Sequence, residues 1–315
     1  MHFMDYSRQN LVLGKNNLSK KTAAIIGLGA IGSNSANLLA RAGLNLILID
    51  KDAVESSNIN SQNIYTKKDL NKPKASVLAE YLKKISKNIK HHNLNLKSNN
   101  ISIIKSDLVL DCTDNMETKF LLNDYCKRNS IPLLHSAAIK TIGTIFVVNK
   151  GPCLRCIYKN ITMLEDCNSA GILNTTASLI ASIQCSEALK ILTNKKYEKA
   201  LLRINLANNE ITKIKINKNC PLCTKTRMTR MEPNLIIKKC KDKGGYSVRQ
   251  EPLKNLSLNK IKKYFKVLIE TPIVLVIKGK YEIIVHNYGE LIFKNTKEKD
   301  IKEIEKISQK IYKHG

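Results

Sequence analysis

The stretch AAIIGLGAIGSNSANLLARAGLNLILIDKD, residues 23–52, constrains the fold more than any other part of the chain. A short apolar run ending at Ile26 leads into Gly27-x-Gly29-x-x-Gly32; a helical pattern follows, and a second apolar run ends on Asp50. Strand, glycine turn, helix and strand in that order form a βαβ unit whose turn lets backbone approach a phosphate, with an acid beyond it for a ribose hydroxyl. The fingerprint suits NAD and other adenine nucleotides alike. The remaining residues have to decide between them.

Strand and helix patterns go on alternating. Strands are predicted at 23–27, 46–50, 107–112 and 131–135, and helices at about 30–42, 72–87 and 116–129. Nearly continuous apolar runs such as LILI and DLVLD predict an α/β fold: a Rossmann-like, mainly parallel sheet with helices on both faces. GTIFVV (143–148), ALLRINLAN and EITKIKIN read as further strands, and GILNTTASLIASIQCSEALKIL reads as a long apolar helix. Near residue 228 the chain turns polar and basic, TKTRMTRMEPNLIIKKCKDKGG, which predicts a main domain over 1–228 and a small α+β appendage over 229–315. Within the appendage a helix is predicted at 257–265, strands around 267–277, 281–287 and 290–294, and a charged amphipathic helix at 298–313.

The formal net charge of +27 invites a nucleic-acid reading. Only eight of the 53 basic residues are Arg, however, and the lysines are spread along the chain together with Asn and Ile. That pattern describes solvated lysine faces, which would still attract an acidic protein or RNA. No apolar run is long enough to cross a bilayer, and the first residues lack the apolar centre of a signal peptide, so a cytoplasmic protein is expected.

Nine cysteines in such a chain argue for metal or thiol chemistry over disulfides. Cys153-Leu-Arg-Cys156 and Cys220-Pro-Leu-Cys223 have the spacing of a tetrahedral thiolate site for Zn2+, with rubredoxin-like iron as the alternative. Cys112, Cys126 and Cys185 sit in apolar or helical patterns and read as small core residues. Cys167 and Cys240 stand apart.

Four features fall where an open α/β sheet binds its ligand, beyond the carboxyl ends of the strands. Asp50 and Asp52 follow the second strand, Asp111 and Asp114 lie in DCTDN, Lys74 opens a predicted helix, and SSNINSQN (56–63) is a small polar loop. A helix amino-terminus, a lysine and a strand-end carboxylate that can hold Mg2+ suit a triphosphate. Asp114 also reads as a plain helix N-cap. A nicotinamide enzyme needs a proton-relay His or Tyr; His91 and His92 lie in a polar run, and His135 at a strand end reads as a structural hydrogen-bonder.

In order, GLGAIG, LIDKDAVESSNINSQ, NKPKA, DCTDN, PCLRC, EDCNSAGIL and CPLC resemble the ThiF/MoeB/HesA family of ubiquitin-activating-enzyme-like adenylyltransferases, from about Asp5 to Cys223. The resemblance implies that Gly27, Gly29 and Gly32 cradle the phosphates of ATP and that Asp50 bonds its ribose. It puts Asn58 near the phosphates, Lys74 at the α-phosphate and Asp114 on Mg2+. Arg8, in DYSRQN, would reach the neighbouring subunit's triphosphate and make a homodimer functional. Cys153, Cys156, Cys220 and Cys223 would hold one structural Zn2+, and Cys167 would match a crossover-loop cysteine that in some members bonds the activated partner or carries sulfur. The implied reaction adenylylates the C-terminal Gly-Gly carboxylate of a small ubiquitin-fold sulfur-carrier protein, for molybdopterin, thiamin or tRNA thiolation. Two departures stand out: Ser61 replaces a family Arg, and Lys119 replaces a second Arg after the Asp-Asn pair, a point charge where the family has a fork. Activation of a tRNA-bound carboxylate, a NAD-dependent oxidoreductase and a non-catalytic scaffold of the same fold are the competing readings.

Overall fold

Thr22–Ile26 (β1) has alanine and isoleucine at its buried positions, so both of its faces can be covered closely. In the computed structural model Ala23 and Ile25 face one apolar cluster, and Ala24 and Ile26 face another on the opposite side of the sheet. The first cluster takes Ala36, Leu39 and Ala40 from Ala30–Arg41 (α2) and Leu78 and Leu82 from Lys74–Lys83 (α3). The second takes Leu122 and Cys126 from Met116–Arg128 (α4). Helices therefore cover both faces.

The structure describes residues 5–158, 171–224, 234–240, 245–251, 255–297 and 300–315, and the chain divides into two compact units, Met1–Arg227 and Met228–Gly315. In the first unit the strands are β1, Asn45–Asp50 (β2), Ile89–Asn93 (β3), Leu108–Asp111 (β4), Leu133–Ile139 (β5), Ile142–Val148 (β6), Leu201–Asn205 (β7) and Glu210–Ile214 (β8). They form one sheet in the order β3-β2-β1-β4-β5-β6-β7-β8. The strands from β3 to β5 run parallel, and β5 to β8 are antiparallel. Connections leave β1 towards β2 on one side and return to β4 on the other, so the topological switch point lies at the carboxyl ends of β1 and β4, where such sheets bind ligands.

Several elements differ from the sequence reading. A short helix, Ser7–Leu13 (α1), precedes β1 without a single buried residue of its own. β3 arises from the polar run IKHHN that contains His91 and His92; as an edge strand it pairs with β2 alone, and only Ile89 of it is buried. β5 runs four residues past His135, so that residue lies inside the strand instead of ending it. The long apolar helix is present as Asn174–Leu192 (α6), after the one-turn Leu154–Ile157 (α5) and before the equally short Pro221–Thr224 (α7). Among the described residues no helix is long and apolar enough to cross a membrane.

The second unit is a six-stranded antiparallel sheet in the order β11-β12-β13-β14-β10-β9. Its strands are Asn234–Cys240 (β9), Gly245–Glu251 (β10), Lys266–Glu270 (β11), Val274–Lys278 (β12), Glu282–His286 (β13) and Glu290–Phe293 (β14). β9 lies within the stretch read as polar and basic and β10 starts at its last residue, and the predicted strand at 267–277 is two strands, β11 and β12. The helix expected at 257–265 is one turn, Leu258–Ile261 (α8). Ile301–His314 (α9) buries Ile304, Ser308, Ile311 and Tyr312, a stripe at helical spacing, and Tyr312 donates to the Gly289 carbonyl at 2.7 Å.

Two glycines make the β1–α2 turn possible. Gly27 has φ +83, and a Cβ there would lie 2.7 Å from the Cys112 carbonyl oxygen and 2.9 Å from the Thr113 nitrogen. A Cβ on Gly32 would lie 1.9 Å from the Gly27 carbonyl oxygen, whereas one on Gly29 would meet nothing nearer than Gln62 Nε2 at 3.9 Å. Gly32→Ala is therefore expected to lower stability by about 3 kcal/mol or more, and Gly29→Ala by no more than about 1 kcal/mol, in urea unfolding.

Candidate functional site

At the switch point α2 begins at Gly29 with no side-chain cap, so its first N–H groups face the crevice unpartnered by any side chain. Asp50 at the end of β2 accepts the Leu28 N–H at 2.6 Å and the Asp52 N–H at 2.8 Å. It thereby braces the turn from below while one lone pair on each oxygen stays open. Burial pushes the Asp50 carboxyl up, opposed by those two donors and by Lys74. Tyr65, almost wholly buried, braces the turn from the other side by donating to the Leu28 carbonyl at 2.8 Å.

Lys74 is the first residue of α3, and its N–H is held by the Asp52 carbonyl at 3.0 Å. Its side chain is only 7% exposed, yet among the described residues the ammonium makes no hydrogen bond or ion pair. Asn58 lies in the loop between β2 and α3, where its oxygen accepts the Glu55 N–H at 3.3 Å and its amide donates to Ser57 Oγ at 3.3 Å. Four residues on, Gln62 is 7% exposed, and among the described residues its Oε1 has no hydrogen-bond partner. Neither Gln62 nor Tyr65 was singled out from the sequence; the only signal was that each sits in a polar loop as a residue large enough to be buried.

Asp114 is exposed and without a partner among the described residues. The N-cap of α4 is Asn115, whose oxygen accepts the Thr118 N–H at 2.8 Å, so the capping role considered for Asp114 belongs to its neighbour. Arg8 is exposed on α1, with Leu11 88% and Val12 73% exposed beside it. Gln9 and Lys195 fasten that helix, donating to the Ala42 and Val12 carbonyls at 3.1 Å and 2.7 Å. Cys167 lies outside the described residues.

Lys119 does not project into the crevice as a free point charge. It is 4% exposed and pairs with Asp111 Oδ2 at 3.2 Å. Asp111 is fully buried and also takes His135 Nδ1 at 2.8 Å, while His135 Nε2 meets the Tyr158 hydroxyl at 2.8 Å. Burial alone would raise the Asp111 carboxyl, but Lys119 and His135 hold it well below the usual carboxylate range. Burial, and after it Lys119, lowers His135. With the hydrogen on Nδ1 both of its partners are satisfied, so His135 is a structural hydrogen-bonder and not a relay. Cys112 beside this group is pushed up to about 12 by burial and by Asp111, which makes it an inert thiol; Cys126 and Cys185 are buried core residues.

The two C-x-x-C pairs come together. The Cys153, Cys156, Cys220 and Cys223 sulfurs all lie within 4.8 Å of one another, with Cys220 Sγ 3.5 Å from both Cys153 Sγ and Cys156 Sγ. Both pairs form the same turn: the Cys156 N–H bonds the Cys153 carbonyl at 2.9 Å, and the Cys223 N–H bonds the Cys220 carbonyl at 3.0 Å. Sulfurs around a tetrahedral ion with bonds near 2.3 Å stand roughly 3.8 Å apart. Four thiols at this spacing fit Zn2+ in donor number, donor type and separation.

The profile of the ThiF family matches residues 6–225. The chain belongs to the ThiF family. The sulfur carrier protein ThiS adenylyltransferase of Bacillus subtilis is 33% identical to it over 237 residues, 69% of this chain and 70% of that enzyme. The SAMP-activating enzyme E1 of Haloferax volcanii is 28% identical over 240 residues, 72% of this chain and 89% of its own length. Crystal structures of E. coli MccB share the fold, one with a TM-score of 0.63 at 18% identity, over 74% of this chain and 75% of that one.

Replacing Cys220 by Ser is expected to remove a metal that is otherwise present at about one zinc per chain by elemental analysis. Because such sites stabilise the fold, thermal unfolding should fall with it. A native chain purified free of zinc and equally stable would overturn the metal site.

Proposed function

We propose that this ThiF-family chain is an ATP-dependent adenylyltransferase that activates the C-terminal glycine carboxylate of a small ubiquitin-fold sulfur-carrier protein. The observation that carries the reading is Lys74: a residue only 7% exposed whose ammonium makes no hydrogen bond or ion pair among the described residues, near enough to oppose the effect of burial on Asp50, in the rim that the uncapped start of α2 and the open lone pairs of Asp50 also face. A largely covered lysine whose ammonium keeps its donors free beside a helix amino-terminus is a ready partner for an anion in the crevice. Two of the relatives, by name a ThiS adenylyltransferase and a SAMP-activating enzyme, support the substrate class.

In this reading the glycine turn lets the triphosphate lie against backbone N–H groups, Asp50 bonds the ribose, and Asn58 stands near the phosphates. A carboxylate oxygen of the carrier attacks the α-phosphorus. The new P–O bond gives acyl-AMP, and the bond from the α-phosphorus to the bridging oxygen breaks with its electron pair leaving on pyrophosphate. No proton moves, so the residues act by charge and alignment, without acid–base work. Lys74 neutralises the α-phosphate as charge grows there. Asp114, exposed and unpaired, suits a Mg2+ ion, which when bound supplies neutralisation at the β- and γ-oxygens. Arg8, on a helix that buries none of its own residues and exposes Leu11 and Val12, serves the site of a second copy, making the enzyme a homodimer. The four-cysteine site holds Zn2+ for structure, away from the reaction. Cys167 carries the subsequent thiol chemistry.

ATP–pyrophosphate exchange that depends on a carrier protein ending in Gly-Gly is the expected activity, and Asp114→Ala should reduce it at least about a hundredfold without changing the unfolding midpoint. Exchange driven instead by tRNA, or tight NADH binding without ATP binding, would replace the proposed reaction. In a coupled assay, Cys167→Ala should preserve exchange and abolish delivery of sulfur to the carrier; normal delivery would remove that cysteine from the mechanism.

A further inference from the structure

A buried lysine–carboxylate pair is a poor device for stability, because the cost of removing both charges from water roughly cancels their attraction. Lys119 and Asp111 are therefore better understood by what they hold, and what they hold is Thr113. Asp111 Oδ1 accepts the Thr113 N–H at 3.1 Å and the Thr113 hydroxyl at 2.7 Å. Lys119 donates to the Thr113 carbonyl. Two side chains thus engage every polar group of one residue, and they fix the peptide on each side of it.

Those two peptides lead to the nucleotide crevice. The one before Thr113 is the peptide for which Gly27 leaves room, within 3 Å of where its Cβ would be. The one after it leads into Asp114, and on the far side Asn115 is anchored by accepting the Thr118 N–H and, through its carbonyl, the Lys119 N–H at 3.2 Å. Asp114 is the single residue between a clamp and a cap. His135, donating to Asp111 Oδ2 and itself backed by Tyr158, keeps the Asp111 carboxylate from turning. With its charge matched by Asp111 inside the protein, Lys119 has little left to offer a phosphate.

Resting on the nucleotide reading above, we propose that Lys119 is a positioning residue. Together with Asp111 it clamps Thr113 and so sets the direction in which Asp114 presents its carboxylate to the nucleotide's divalent cation. Lys119 itself touches no phosphate.

Two equilibrium measurements on the full chain test this: Mn2+ binding followed by electron paramagnetic resonance in the presence of α,β-methylene ATP, and calorimetric binding of that analogue in buffer free of Mg2+ and Mn2+. Lys119→Met and Thr113→Val should weaken Mn2+ binding at least about tenfold while the metal-free affinity for the analogue stays within about twofold, as expected for residues that orient a metal ligand. Lys119→Arg should restore Mn2+ binding. Thr113 is only half-buried and valine matches its shape, so that variant keeps the test open if Lys119→Met fails to fold. Loss of metal-free affinity in Lys119→Met matching its loss of Mn2+ binding would make Lys119 a phosphate ligand, and native Mn2+ binding in Thr113→Val would reduce the clamp to structure; either result overturns the positioning role alone. A native chain that binds no analogue, or Asp114→Ala with native Mn2+ binding, would overturn the nucleotide reading and this role together.

Discussion

Backbone meeting backbone at the ends of β1 and β4 is the constraint on which the crevice depends. Gly27 stands where any side chain would strike the Cys112–Thr113 peptide, and Gly32 stands where a methyl group would strike the Gly27 carbonyl. With those two positions bare, the turn drops into the sheet, α2 starts close to the strand ends, and its free N–H groups open onto the switch point. Gly29 differs. It has space around it, which is what a ligand would occupy.

Two strand-end acids support this arrangement from neighbouring sides, Asp111 engaged by the chain through both oxygens and Asp50 braced by the chain with one lone pair on each oxygen left open. Asp50 takes the backbone of the glycine turn, and Asp111 takes Lys119, His135 and Thr113. Groups held in this way cannot move towards a ligand without releasing a loop, which makes them scaffolding for the unpaired groups beside them, Lys74 and Asp114. The same division runs through the rest of the rim. Asn58 uses its amide on its own loop, whereas Gln62 has a buried oxygen with no partner among the described residues. Unspent polar capacity marks the side on which a ligand would complete the structure.

The second unit shows where pattern reading stops. Its amphipathic helix is legible because four core positions recur at helical spacing. β9 and β10 are not, because NLIIKKC lies among lysines and GYSVRQE carries few apolar residues; β10 is a strand by virtue of pairing with β14, more than forty residues later. β3 escapes notice for the same reason, with His91 and His92 in a strand that has a neighbour on one side only. Strands with a weak apolar pattern are specified by the partner they meet, and for β10 and β3 a partner is distant in sequence.

Local order determined much of this protein by itself. The glycine spacing dictated a tight turn from strand to helix, the apolar runs dictated buried parallel strands, and each C-x-x-C turn, closed by its own N–H, set two thiols side by side. Those features depend on neighbours a few residues apart, so they can be read directly. Only the tertiary structure decided which charges are free. Lys74 and Lys119 look equivalent as letters, each a lysine near the start of a helix, yet the fold leaves one without a hydrogen bond or ion pair among the described residues and encloses the other against Asp111. Asp114 and Asn115 are likewise adjacent candidates for a single cap, and the helix took the second. Charge pairing and capping are settled by distances between side chains in space, and those distances exist only once the chain has folded.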